Sequence, residues 1–288
     1  MKKLVFIPIL FAAIVVLTTQ CLNKQAANAP KVQAVINPLK LTHKEGADTL
    51  LIDSTAPIKP LNFKVLNSKQ AIAFLTVNNL DTLFSNGYPF NGFYGEDHYR
   101  IEYLFESSKR DAQDPTLFHI KGRNRYKKVI TPFEGTIRIT QVSEFTDPNL
   151  DTADVNAMHV KTLYAAQGEF ELKEDPTLKT SGVFKGKMKM EFNTRTDEYP
   201  TEFWFQSQQL PSGGAGYRMD GNWTSYTQKG LVKPVILAHD LFRFANDILK
   251  DFSYGEREVE INPKYRSLGW ESFWENDEWW VEAEKPKM

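Results

Sequence analysis

The side chains best suited to acid–base chemistry in this sequence are few and scattered. Five histidines occur among 288 residues, each of them alone. His98 has acids near it. In the run Glu96-Asp-His-Tyr-Arg-Ile-Glu102, period-two alternation sets Glu96, His98, Arg100 and Glu102 on one strand face, with Tyr99, Ile101, Tyr103 and Phe105 on the other. Such a row could hold a metal or a substrate. It could equally be a wet sheet face whose alternating charges pair with neighbouring strands. No second histidine stands at metal-ligand spacing from His98, so no metal centre is expected. Glu96, His98 and His239 are the least remote candidates for a general acid and base, and they would have to converge in space. No G-x-S-x-G, H-E-x-x-H, phosphate loop or dinucleotide fingerprint occurs, and no cofactor is expected.

Aromatic side chains crowd the C-terminus. Residues 269–288 carry Trp270, Trp274, Trp279 and Trp280 among Glu271, Glu275, Asp277, Glu278, Glu282 and Glu284. Exposed, these rings could stack on a glycan or meet a protein partner of the envelope. Packed, they would form a C-terminal strap with its acids turned to water.

Cys21 is the only cysteine, so no disulfide can form within the chain. Lys2 and Lys3 precede an apolar run over residues 4–17, and Thr18-Thr19-Gln20 leads to Cys21. A basic start, an apolar stretch of this length and a nearby processing site describe a signal peptide over residues 1–20, rather than a spanning helix. The arrangement resembles the lipobox of bacterial lipoproteins, in which the cysteine becomes the lipid-carrying N-terminus. Leu17 stands four residues before Cys21 where the family has three, and Gln20 replaces a small residue. The alternatives are an uncleaved anchor helix or cleavage near Ala29, the latter opposed by Pro30. The resemblance implies lipidation of Cys21, a membrane as partner through that lipid, and residence in the cell envelope. Leu22, in place of Asp after the cysteine, resembles lipoproteins sent to the outer membrane of a double-membraned cell. Residues 21–60 read as a tether, small and polar over 23–30 and punctuated by Pro38, Pro57 and Pro60. Within it, residues 48–53 alternate and could form one strand.

The body that would position these groups is built from repeated short strands. The stretch 132–140, PFEGTIRIT, has an echo at 183–190, VFKGKMKM, and each follows an aromatic-led strand, 118–122 and 170–173. The alternation predicts that Phe133, Ile137 and Ile139, and Phe184, Met188, Met190 and Phe192, point inward. Lys185, Lys187 and Lys189 then point outward, opposite Glu169 and Glu171 on a neighbouring antiparallel strand. The linking segments 123–131 and 174–181 are too long for tight turns and predict loops at one end of the body. Residues 202–206 and 216–226 add two strands, the second directing Tyr217, Met219 and Trp223 inward. A helix is expected from Ser68, with Ile72, Leu75, Leu80 and Leu83 on one face. Another is expected over 240–252, capped by Asp240 and stopped by Gly255.

Removing residues 1–20 from 288 leaves 268, read as the tether followed by a single β-rich domain over 61–288. The formal net charge of −1 becomes −3 without Lys2 and Lys3. No basic cluster offers a nucleic-acid surface. The fold class expected is all-β: an antiparallel meander closing as a barrel or β-sandwich with one or two accessory helices. A closed meander of this kind resembles the lipocalin-like barrels at the level of architecture. Those families carry G-x-W near the first strand, whereas Gly221-Asn-Trp223 comes late here. The function expected is non-enzymatic: an envelope lipoprotein that binds a small apolar ligand within, or a partner through Trp223 or the tryptophans of the tail. The alternative is an envelope hydrolase using Glu96, His98 and His239.

Overall fold

The computed structural model describes residues 62–146, 160–195, 202–203, 210–241, 245, 247–250, 260–275 and 278–281. Cys21, the tether and the 48–53 strand fall outside these residues, as do 204–209, 251–259 and the acids Asp277, Glu282 and Glu284.

Eight strands form the body: β2 (Phe90–Tyr94), β3 (Tyr99–Arg110), β4 (Leu117–Tyr126), β5 (Val129–Phe145), β6 (Val160–Glu174), β7 (Gly182–Arg195), β9 (Tyr217–Ser225) and β10 (Val232–Ala238). Each pairs antiparallel with the next, and β10 returns to β2 through Val235 opposite Tyr94, so the meander closes into a barrel. Closure leaves no long free edge, which is how a large antiparallel sheet avoids pairing with other chains. Two short strands lie outside the ring: β1 (Phe63–Val65) along β5 and β8 (Glu202–Phe203) along β7.

The expected register holds. Ile137 and Met188 are fully buried, while Arg138 and Lys187 are exposed. Glu171 lies opposite Lys185 and Glu169 opposite Lys187. The aromatic-and-glycine rhythm of the repeats has a packing cause. Gly186 pairs with Gly221 across β7 and β9, and with Phe170 across β6 and β7. A Cβ on Gly221 would lie 2.9 Å from the Phe170 ring and 2.4 Å from the Lys185 carbonyl oxygen. Two glycines thus give one ring its place.

Three expectations are corrected. The 123–131 segment is no long loop: β4 and β5 run to a two-residue turn, Lys127-Lys128, with φ of 51° and 65°. A tight hairpin turn of this kind normally advertises itself with Asn or Gly, and here it has neither. The 174–181 segment, by contrast, does form a loop, over residues 175–181. The helix expected over 240–252 is absent among the described residues. Leu249–Lys250 is a strand, β11, paired with β12 (Glu260–Ile261). Leu241, Ile248 and Leu249 are buried as their spacing implied, yet none of them on helical backbone. Finally, the helix expected from Ser68 is α1 (Ser68–Val77), capped by the preceding Asn67 in a capping box with Gln70; of its expected face Leu75 is buried and Ile72 exposed, while Leu80 and Leu83 lie beyond its end.

Helix α1 and the short α2 (Asp81–Phe84) cover the end of the barrel at which β2, β4, β6 and β9 begin, called here the helix end. Leu75, Leu80, Leu83 and Phe84 sink into the interior core. The Phe84 ring meets Phe118 at 5.2 Å and Tyr217 at 5.8 Å, and Phe74 meets Tyr164 at 4.4 Å. The opposite, loop end carries the turns of the hairpins. A second core lies outside the barrel, where Phe93, Ile236 and Ala238 of β2 and β10 are covered by Leu241, Ile248, Tyr265 and Trp270. Its cover includes the short helix α3 (Pro263–Tyr265) and the π-turn Arg266–Trp270.

Candidate functional site

The inward row of β6 runs Ala166, Gly168, Phe170, Leu172 and then Glu174, which is 5% exposed. Period two therefore carries a carboxylate into the barrel at its loop end. Asn124 Nδ2 donates to Glu174 Oε1 at 2.7 Å, while Trp223 Nε1 and the Gly182 amide each donate to Oε2 at 2.8 Å. No cation is among these partners. Burial pushes the Glu174 pKa up, and the three donated hydrogen bonds pull the other way without cancelling it. Above the carboxylate lie Tyr94, Tyr103 and Tyr126, with Tyr94 and Tyr126 centroids 4.5 Å apart. Burial raises the pKa of all three phenols. The Tyr103 hydroxyl is fully buried and makes no hydrogen bond.

This cluster satisfies one requirement of acid–base chemistry, titratable groups with shifted pKa values in one place. The other, a cleft, is not formed beside it by the described residues. Tyr103 contacts Phe133 and Phe184 at centroid distances of 5.7 and 5.2 Å, and Tyr94 contacts Trp223 at 5.7 Å. Rings from facing strands thus meet across the interior, and the shifts arise from that filling. The sequence reading missed Glu174 because it was assigned to the following loop. The parity of Phe170-x-Leu172-x-Glu174 was the available signal.

The acid–base candidates are not brought together. Glu96 is exposed in the β2–β3 turn. His98 is in the same turn rather than in the strand, with φ of 56°, and its ring stacks on Phe93 at 4.8 Å. His239 lies past β10 at the other end of β2, its centroid 6.0 Å from Phe90, and burial lowers its pKa. Among the described residues no group of three or more His, Cys, Asp or Glu side chains could hold a metal ion.

The polar row of β3 is not wet. Arg100 and Glu102 are buried on the outer barrel face beneath the C-terminal residues. Arg100 Nη2 donates to Glu102 Oε1 at 2.9 Å and Arg125 Nε to Oε2 at 2.6 Å. Trp279 Nε1 reaches Oε1 at 3.3 Å, and its ring lies under the Arg125 guanidinium at 5.2 Å. Arg123 Nη2 donates to the Trp280 carbonyl at 2.9 Å, and Trp270 Nε1 donates to the His98 carbonyl at 2.8 Å. Trp270 and Trp279 are therefore buried, Trp280 is partly covered, and Trp274 alone of the four stays half exposed. Trp223 is buried as well. The five tryptophans do not assemble into one aromatic surface.

A third buried carboxylate, Glu191, points outward from β7 under the 210–216 loop. Ser212 donates to it twice, from its amide at 2.8 Å and from its hydroxyl. Burial pushes its pKa up to about 7. At the helix end a groove of about 500 Å³ runs between α1 and the β3–β4 turn, lined by Ile72, Thr76, Asp81 and Asp111. Arg110, also in its wall, donates to the carbonyls of Leu75 and Asn78. Comparison of the chain with family models, with curated proteins and with solved structures yields no match.

Proposed function

We propose that the protein is a non-enzymatic lipoprotein of the cell envelope, held through Cys21 on a tether of residues 21–60, whose barrel presents its surface to a partner. In a double-membraned cell its place is the outer membrane. The observation that carries this reading is the filling of the barrel interior by its own side chains. Met188, Phe184, Tyr103 and Tyr217 are fully or almost fully buried, and the Tyr103 and Phe184 rings meet from opposing strands. A carrier of small apolar molecules needs a cavity of several hundred Å³, and a hydrolase needs a cleft that admits substrate to its acid and base. Neither requirement is met by the interior cluster around Glu174. Surface recognition needs only a rigid scaffold with mobile or exposed groups at its rim, which a closed eight-stranded barrel supplies.

Two measurements test it. Cys21→Ser should release the protein from membranes or leave the precursor unprocessed, and unchanged detergent-phase partitioning would overturn the anchor. Native mass spectrometry of protein purified from its host should show the bare mass plus the N-terminal lipid. A second lipid-sized adduct, recurring between preparations, would restore the carrier reading.

A further inference from the structure

The loop end of the barrel bears four hairpin tips, and three of them share a composition. The β4–β5 tip is Lys127-Lys128 followed by Val129 and Ile130. The 175–181 loop carries Leu178 and Lys179. The 226–231 loop carries Tyr226 and Lys229 and leads into Val232. All nine side chains are exposed, Val129 at 59% and Val232 at 52%. Across these three tips four lysines face a single acid, Asp175, whose carboxylate accepts from Thr177. None of the four lysines is ion-paired among the described residues, although the Lys127 ammonium lies over the Tyr99 and Tyr126 rings at 5.1 and 5.3 Å. The chain without its leader is net negative, so this concentration of positive charge is local.

The tips are tied to one another. Tyr226 N donates to the Ser181 carbonyl at 3.1 Å, Thr227 Oγ1 to the Lys179 carbonyl at 3.2 Å, and Asp175 N to the Pro132 carbonyl at 3.3 Å. They form one arc of the rim. The fourth tip, with Glu96 and Asp97, lies across the ring from the 175–181 loop.

Exposed aliphatic side chains alternating with unpaired lysines on a fixed rim match the two layers of a bilayer surface. Lysines reach the anionic headgroups while valine, isoleucine and leucine enter the acyl boundary, and tyrosine suits the zone between. A purely polyanionic partner would leave the aliphatic groups without a role, and an apolar protein face would leave Lys128, Lys179 and Lys229 uncompensated. We infer that this arc of the loop end docks on an anionic lipid bilayer surface. The inference rests on the reading of the barrel as a surface-binding module and names the surface. Docking is tilted, because the Glu96–Asp97 tip is repelled from the same membrane.

The test uses residues 21–288, the chain without its leader, carrying Cys21→Ser, which leaves one labelling site when a cysteine is introduced. An environment-sensitive fluorophore is placed on Leu178→Cys, or on Ala112→Cys at the helix end. Each protein is mixed with vesicles of phosphatidylcholine alone or with one third phosphatidylglycerol. The probe at 178 should shift to the blue only with the anionic vesicles, and the probe at 112 should not move. Reversing Lys127, Lys128, Lys179 and Lys229 to Glu should weaken binding to anionic vesicles about tenfold or more, and high salt should do the same. An equal response at 112, an equal response to neutral vesicles, or binding indifferent to the four reversals overturns the inference. Because Cys21→Ser already removes the lipid, failure here is separate from failure of the anchor, which is read from detergent-phase partitioning, a readout that electrostatic docking does not move.

Discussion

Glu102 and Glu174 are buried to nearly the same degree, 6% and 5% exposed, on opposite sides of the same barrel wall. Their surroundings differ in kind. On the outer face, Glu102 sits between Arg100 and Arg125 with the Trp279 indole N–H reaching it, so its charge is matched by cations. Inside, Glu174 meets only neutral donors from Asn124, Trp223 and Gly182. The outer arrangement is an ion cluster sealed by an aromatic lid. The inner one is a carboxylate solvated by the protein in place of water. An ion cluster resists removal of one member because the survivors are left charged and dry. A neutral cradle should resist a change of charge far less, since no partner is stranded as an ion.

The comparison is most sharply tested by Glu102→Ala, which leaves the buried Arg100 and the partly buried Arg125 without their shared carboxylate. Arg125 is partly open to water and Arg100 keeps Asn91, so the cost should be about 3 kcal/mol, the lower end for a broken buried pair, read as a shift of the urea midpoint. A loss below about 1 kcal/mol, the range of surface ion pairs, would show that the C-terminal residues do not seal the cluster. Glu191 extends the neutral case to a titratable readout. The unfolded chain releases this proton near 4.5, and the folded protein holds it to about 7. In that window the folded state binds more protons, so stability is full below it and declines as pH climbs through it. The decline should be on the order of 3 kcal/mol, and Glu191→Gln should flatten it. A profile equally steep in the variant would place the slope elsewhere. Glu174→Gln should have the smallest effect, about 1–3 kcal/mol, because its amide must turn donors toward either Asn124 or the Trp223–Gly182 pair. A cost equal to that of Glu102→Ala would erase the distinction between the two sites.

The barrel itself was legible because period-two patterning governs both burial and register. Once Ile137 and Met188 are assigned inward, Arg138, Lys187 and the Glu169–Lys187 pairing follow. The meander could be read for the same reason, but barrel and sandwich could not be separated, since closure depends on one pairing, β10 with β2, that no local pattern announces. The irregular outer core was misread as a helix at 240–252. There, spacing reported that Leu241, Ile248 and Leu249 are buried, and burial against a sheet face does not require helical backbone. The candidate site was the least legible part. Glu174 continues an inward row by one residue past the last apolar position, and a charged residue at that point reads as the start of a loop. Its donors, Asn124 and Trp223, lie on strands 50 and 49 residues away in the chain. Only the assembled ring brings the three together.

The single pairing that closes the ring also sets the order in which the molecule can be made. β2 finds β3 at once across a short turn, but its other edge waits for β10, roughly 140 residues further along the chain. Contacts of such sequence separation form late and slowly, because the loop must be gathered before the pairing repays it. A chain emerging N-terminus first therefore passes through a long interval as an open, curling sheet with the backbone groups of β2 available to any other strand. Truncation just before β10 would turn that interval into a permanent state, and the product should associate edge to edge rather than remain as a smaller barrel.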